Sequence, residues 1–316
     1  MRILLTLLSA FLFTFFTGCA KKLPDAYDAT CPKMVTANGV DICTESFGSP
    51  KDPALLLIMG ATASMLSWEE DFSKELAKGG RYVIRYDNRD TGRSVTYPPG
   101  KPEYNLDDLA KDAVGVLDAY GIDRAHIAGA SMGGMIAQLI GIEYPERVLS
   151  LTLIMSSPHG PEDPDLPPMS QKVLDHFAKG SSIDWTSEAA IIGFRVDTMR
   201  VIAGSKHSFD EQSARRLLKR EFRRANNIAS TLTNHSVMAS NRWRDRLGEI
   251  NAPTLVIHGT EDPVLPFGHG VALSKEIKGA KLLPLEGSGH ELRHDDWSAI
   301  IPAILTHTSL QTGAKH

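Results

Sequence analysis

The chain has 316 residues, 42% of them hydrophobic and 23% charged, enough for a globular domain with a sizeable core and room for an inserted subdomain. Its formal net charge of −4 supplies no basic field for a polyanion, which argues against a nucleic-acid partner. No internal repeat or low-complexity tract stands out apart from the proline-rich stretch 161–168.

Arg2 precedes an apolar run over residues 3–16, followed by Thr17-Gly18-Cys19-Ala20 and Lys21-Lys22. One basic residue, a short apolar stretch and small residues at the cut mark residues 1–18 as a secretory signal peptide, since a spanning helix needs about 20 apolar residues. The Phe16-Thr17-Gly18-Cys19 tail resembles the lipobox of bacterial lipoproteins. That resemblance implies a mature chain that starts at a lipidated Cys19 and is tethered to a membrane outside the cytoplasm through residues 19–33. Ala20, where inner-membrane retention is associated with Asp, leans toward an outer membrane facing the periplasm if the source has one.

An exported compartment allows Cys31 and Cys43 to pair. They flank the hairpin signal Asn38-Gly39. If those two residues make the turn, Ala37 faces Val40 and Met34 faces Cys43. Cys31 then lies three positions further on, ~10 Å away at strand rise, beyond the reach of a disulfide unless Pro32 bends the chain back. The register alone therefore weighs slightly against the bridge.

From there strand and helix alternate. Residues 34–47 read as the hairpin, and 54–59 as a continuous apolar run of the kind buried on both faces of a sheet. A helix is expected over 68–78, ended by Gly79-Gly80, then a strand at 82–86, a helix at 106–120, a strand at 124–130 and another at 148–155. Such alternation predicts a mostly parallel central sheet with helices on both faces. Residues 34–157 form the first part of this core. Over 158–250 no clear buried strand appears and helical patterns dominate, as at 208–227, so this stretch is expected to be an inserted helical cap. The second part of the core, 251–316, brings strands at 252–259 and 280–285 and helices near 268–278 and 295–307.

The chemistry centres on Gly129-Ala130-Ser131-Met132-Gly133, a Gly-x-Ser-x-Gly at a predicted strand-to-helix turn. Such a turn exposes the serine at the end of the sheet and aims free helix N–H groups at whatever sits above it. Catalytic groups in these sheets gather beyond the carboxyl ends of strands. Two later strand-end loops supply them, Gly259-Thr260-Glu261-Asp262-Pro263 and Glu286-Gly287-Ser288-Gly289-His290, so that Ser131, Asp262 and His290 run in the order Ser…Asp…His. Serine needs a base, imidazole is one near neutral pH, and a carboxylate holds its tautomer. Asp262 could instead be a turn former, with Glu261 as its rival; His294 is the fallback base; His258 reads as a buried packing or hydrogen-bonding residue. Met132 and Ala61 are the expected backbone donors of an oxyanion hole. The polar stretch 87–94 reads mainly as a structural loop knit by ion pairs, and Trp185, Phe194, Phe209, Phe222 and Trp243 as core more than pocket wall.

Leu55-Leu56-Leu57-Ile58-Met59-Gly60, the stretch Val83-Ile84-Arg85-Tyr86-Asp87-Asn88-Arg89-Asp90-Thr91-Gly92-Arg93-Ser94, and Gly129-Ala130-Ser131-Met132-Gly133 resemble the α/β-hydrolase superfamily, in particular esterases of the aclacinomycin methylesterase type. Met59-Gly60 matches that type, whereas Ala61 stands where it has Gly. The resemblance spans 34–307, is weak over the cap, and implies an α/β-hydrolase fold and hydrolysis of a small-molecule carboxylic ester with no cofactor and no metal. Cofactor-free perhydrolase, amide hydrolase and carbon–carbon bond hydrolase share the same triad and remain alternatives, as does a lipid-anchored binding protein without turnover. A peptidase would need acidic cap residues, for which Glu188, Asp197 and Asp210 are the candidates.

Overall fold

The computed structural model describes residues 30–158, 164–239 and 241–309. The expected signal peptide over 1–18, Cys19 and the expected tether as far as residue 29 lie outside the described residues.

An eight-stranded sheet runs in the order β1-β2-β4-β3-β5-β6-β7-β8. The strands are β1 (Lys33–Ala37), β2 (Val40–Phe47), β3 (Ala54–Ile58), β4 (Tyr82–Tyr86), β5 (Ala125–Ala130), β6 (Val148–Ile154), β7 (Thr254–Gly259) and β8 (Lys281–Leu285). β2 is antiparallel to both β1 and β4, and every other pairing is parallel. The β1–β2 hairpin has the expected register, with Ala37 opposite Val40 and Met34 opposite Cys43.

The disulfide expectation is corrected here: Cys31 and Cys43 are bonded, with their Cα atoms 5.7 Å apart. β1 begins only at Lys33, so Cys31 and Pro32 lie off the strand and the chain bends back there. The ~10 Å separation holds only for a strand that continues straight.

Period-two alternation on a sheet covered on both sides divides the core. Leu56 and Ile58 of β3 pack with one cluster, under α2 (Leu106–Ala119), α3 (Met132–Glu143) and α8 (Gly268–Glu276). Leu55 and Leu57 point the other way, into a cluster with Phe72 and Leu76 of α1 (Glu70–Lys78) and Trp297, Ile300 and Ile304 of α9 (Trp297–Ser309). That is why residues 54–58 read as an unbroken apolar run: all are buried.

Between β6 and β7 the described chain is helical, with α4 (Gln171–Ala178), α5 (Glu188–Ile202), α6 (Glu211–Arg224) and α7 (Ile228–Val237). α5 and α6 carry a small core of their own, built on Ile192, Val196 and Leu218. Trp243, just after α7, leaves this layer, and its indole N–H donates to Gln138 Oε1 of α3 at 3.0 Å.

Candidate active site

Ser131 sits between the last residue of β5 and the first of α3, with φ 54° and ψ −119°. A non-glycine residue in that region costs of order 1–3 kcal/mol and persists only where its surroundings dictate it. Here they do. Ser131 N–H donates to the Ile154 carbonyl at 2.9 Å, and the Ser131 carbonyl accepts from Gly134 N–H and Ser156 Oγ, each at 2.9 Å. The flanking glycines are sterically required: a Cβ on Gly129 would lie 2.1 Å from the Gly133 carbonyl oxygen, and one on Gly133 would lie 2.1 Å from that of Ile58. As the first residue of α3, Met132 has an N–H without an intrahelical acceptor, at the positive end of the helix dipole.

The chain leaving β3 passes over this turn. A Cβ on Gly60 would lie 3.0 Å from Ser131 Cβ and 3.6 Å from its Oγ, so Gly60 permits close approach. Ala61 follows in a solvent-exposed turn.

The loops after β7 and β8 bring Asp262 and His290 together. His290 Nδ1 lies 2.7 Å from Asp262 Oδ2, while Oδ1 accepts the backbone N–H groups of Val264 and Leu265 at 2.8 and 2.9 Å. Burial would raise the Asp262 carboxyl, but the facing His290 ring and the hydrogen bonds from His258 and His290 outweigh it and hold the group well below the usual carboxylate range. An ionised Asp262 fixes the proton of His290 on Nδ1 and leaves Nε2 free to act as a base. The glycines of this loop serve close contact: a Cβ on Gly289 would sit 2.2 Å from the Ile202 carbonyl oxygen at the end of α5. That same carbonyl accepts the His290 N–H at 2.9 Å.

Glu261, the rival carboxylate, turns away: it accepts from the N–H and hydroxyl of Ser205, both at 2.7 Å. His294 packs its ring against Trp297, 4.5 Å between centroids. His258 is buried as expected, its Nε2 2.7 Å from the Leu265 carbonyl and 3.4 Å from Asp262 Oδ2, which adds a second imidazole beside the carboxylate. The 87–94 loop is largely buried and knit by ion pairs, Asp87 with Arg224 at 2.6 Å and Arg89 with Asp112 at 2.6 Å. Of the aromatic residues, Trp243 is core, Phe209 packs against the α5–α6 core and Phe194 stacks on His176, while Trp185 is exposed. The acidic candidates serve their own helices: Asp210 caps α6 through Ser213 N–H, Asp197 pairs with Arg200, and Glu188 stands exposed at the start of α5.

Three residues of the inserted helices, His235, Arg195 and Glu221, hold the loop that follows β3, and the sequence reading did not single them out. Their signal is an ionisable group on a buried helix face, which becomes visible only once the helix is placed.

The family model described as "alpha/beta hydrolase fold" matches residues 53–296. The rhodomycin D methylesterase DauP of Streptomyces sp. strain C5 is 32% identical over 295 residues, covering 89% of this chain and 99% of that protein. The 3-oxoadipate enol-lactonase 2 of Acinetobacter baylyi is 28% identical over 258 residues, covering 80% and 88%. Among solved structures, an esterase from Exiguobacterium antarcticum superposes with a TM-score of 0.71 at 21% identity, covering 88% of this chain and 99% of that one, a likeness of fold.

Proposed function

The chain belongs to the α/β-hydrolase family, and from that membership we propose that it is a carboxylic ester hydrolase working through Ser131, His290 and Asp262. The observation that carries the reading is the strained Ser131 at the β5–α3 turn together with the 2.7 Å Asp262–His290 pair on strand-end loops of the same sheet. Similarity to a methylesterase and to an enol-lactonase, whose names both denote cleavage of a carboxylic ester, supports that bond class.

In this reading Ser131 Oγ attacks the ester carbonyl while His290 Nε2 takes its proton. The N–H groups of Met132 and Ala61 hold the tetrahedral oxyanion. His290 then protonates the departing alcohol, leaving an acyl group on Ser131, and water activated by the same ring releases the acid. Asp262 keeps the ring oriented and stabilises its charged form. Helices α4–α7 act as a cap that selects the alcohol or acyl portion, where binding remote from the reacting carbon discriminates between substrates. A small-molecule ester, a methyl ester included, is the expected substrate.

Arg2, the apolar residues 3–16 and Cys19 support export and lipid attachment at Cys19, which would tether this hydrolase to a bacterial membrane.

The test is hydrolysis of a panel of p-nitrophenyl and methyl esters by the chain from Lys21 onward, with Ser131→Ala as control and a fluorophosphonate as serine label. Turnover and labelling that vanish in the variant support the assignment. A folded wild type that neither turns over nor is labelled overturns it and favours a binding protein on the same fold.

A further inference from the structure

We propose that His235 and Arg195 of the inserted helices are positioning residues that clamp the Thr62 peptide and so hold the neighbouring Ala61 N–H in place over Ser131. The inference rests on the ester-hydrolase reading and adds to it a coupling between the cap and the oxyanion site.

Thr62 has φ 62°, a left-handed conformation that a β-branched side chain disfavours. Something must hold it there, and two residues of the inserted helices do. Its N–H donates to His235 Nδ1 of α7 at 3.1 Å, and its carbonyl accepts from an Arg195 Nη2 of α5 at 3.2 Å. Both backbone groups on the strained residue are thus tied to the cap, by partners 173 and 133 residues away in sequence.

The partners are themselves fixed. His235 Nε2 lies 2.9 Å from the Arg89 carbonyl, which can only accept, so the proton of this ring is on Nε2 and Nδ1 is free to accept from Thr62. One neutral tautomer satisfies both contacts, and burial favours the neutral ring. Arg195 is paired with Glu221 Oε2 at 2.7 Å. The other Glu221 oxygen accepts from Ser64 N–H at 3.1 Å, Ser64 Oγ at 3.0 Å and Ser67 Oγ at 2.9 Å, which fastens the next turn of the same loop to α6. On the core side the Met59 carbonyl is held by Asn88 Nδ2 at 3.0 Å and Met65 N–H by Asp87 Oδ1 at 2.9 Å. The Ala61–Thr62 step, like the Ser64–Ser67 turn after it, is held from the cap.

An oxyanion donor acts only if it is already aimed when charge develops, so slack in this loop lowers kcat more than it weakens substrate binding. The experiment compares wild type, His235→Ala and His235→Asn, whose Oδ1 can take the place of Nδ1 as acceptor, together with Arg195→Met. Readouts are kcat and KM on a p-nitrophenyl ester, affinity for a boronic acid that forms a tetrahedral adduct, melting temperature, and amide exchange at Thr62. Expected for His235→Ala is a kcat about 10- to 100-fold lower, KM within about 3-fold, boronate affinity lost in parallel with kcat, and faster exchange at Thr62. His235→Asn should recover most of the kcat, and Arg195→Met should move the same readouts in the same direction.

A folded His235→Ala with wild-type kcat and boronate affinity overturns the positioning role while leaving the hydrolase reading intact. So does a loss that follows only the fraction folded and is not restored by asparagine. A wild type that is neither active nor labelled at Ser131 overturns the hydrolase reading, and the positioning role falls with it.

Discussion

Asp262 meets His290 through one carboxylate oxygen, 2.7 Å from Nδ1, while its other oxygen is spent on the N–H groups of Val264 and Leu265. The carboxylate is therefore oriented by the turn of its own loop before the imidazole arrives. An amide in its place would present either its oxygen or its NH₂ to the turn, and the two N–H donors of the turn decide for the oxygen. The NH₂ then faces Nδ1 and drives the ring to the wrong tautomer. Asp262→Asn should lower kcat by roughly 10³- to 10⁴-fold with a nearly unchanged fold. Glu261→Gln, altering the carboxylate bonded to Ser205, should leave kcat within about 2-fold, below what loss of one group touching the reaction costs. Steady-state kinetics on a p-nitrophenyl ester with circular dichroism as a folding control decides this, and a crippled Glu261→Gln beside an active Asp262→Asn would reverse the assignment.

Gly133→Ala should be among the most damaging small substitutions in the chain, because its methyl would lie 2.1 Å from the Ile58 carbonyl oxygen, a backbone atom that cannot swing aside. A loss above about 4 kcal/mol, or failure to give soluble protein, is expected. Gly193→Ala in α5 meets nothing within 4 Å and should stabilise, by up to about 1 kcal/mol. Chemical denaturation of the two variants in parallel tests the contrast.

The Cys31–Cys43 bridge closes a short loop at the sheet edge, with a sequence separation of 12. Chain-entropy reasoning gives it about 3 kcal/mol. Reduction with dithiothreitol should lower the wild-type melting temperature by several degrees and leave the double variant Cys31→Ser/Cys43→Ser unmoved. Equal melting curves for the wild type with and without reductant would show that the bridge contributes nothing.

His126 is fully buried in β5, with Nδ1 2.8 Å from Ser150 Oγ, and burial lowers its pKa from 6.5 to about 4. A histidine kept neutral by the fold destabilises it on acidification, since between those two values the unfolded chain takes up a proton that the native state refuses. Stability should thus be flat above pH 6.5 and fall by at most about 3 kcal/mol toward pH 4 from this group. His235, His269 and His307 are shifted in the same direction. Urea midpoints from pH 7.5 to 4.5 should therefore decline, with a shallower slope in His126→Asn; an identical slope in the variant would remove His126 from the account.

If Cys19 carries lipid, the full-length chain expressed in a bacterial host should fractionate with membranes, and Cys19→Ala should not be anchored through a lipidated N-terminus. Mass spectrometry of the N-terminal peptide reads this directly. An unmodified Cys19 in the wild type would remove the anchor.

What the sequence determined by itself is local or periodic. The strand–helix alternation follows from apolar spacing, and the Gly-x-Ser-x-Gly turn from a run of small residues whose sterics are those of neighbouring backbone. His290 and Asp262 could be singled out because each occupies the first loop after a strand, a position readable without knowing where the strand lies. Tertiary structure alone decided the rest. The β4–β3–β5 neighbour order depends on where crossover helices pack. The Cys31–Cys43 bond depends on a bend at Pro32, outside the hairpin's register. The attachment of Thr62 to His235 and Arg195 joins segments more than a hundred residues apart, and no local pattern encodes which face of a helix will meet a distant loop. That choice belongs to the packing of α5–α7 against the loop after β3, where a buried imidazole and a guanidinium find the backbone groups they satisfy.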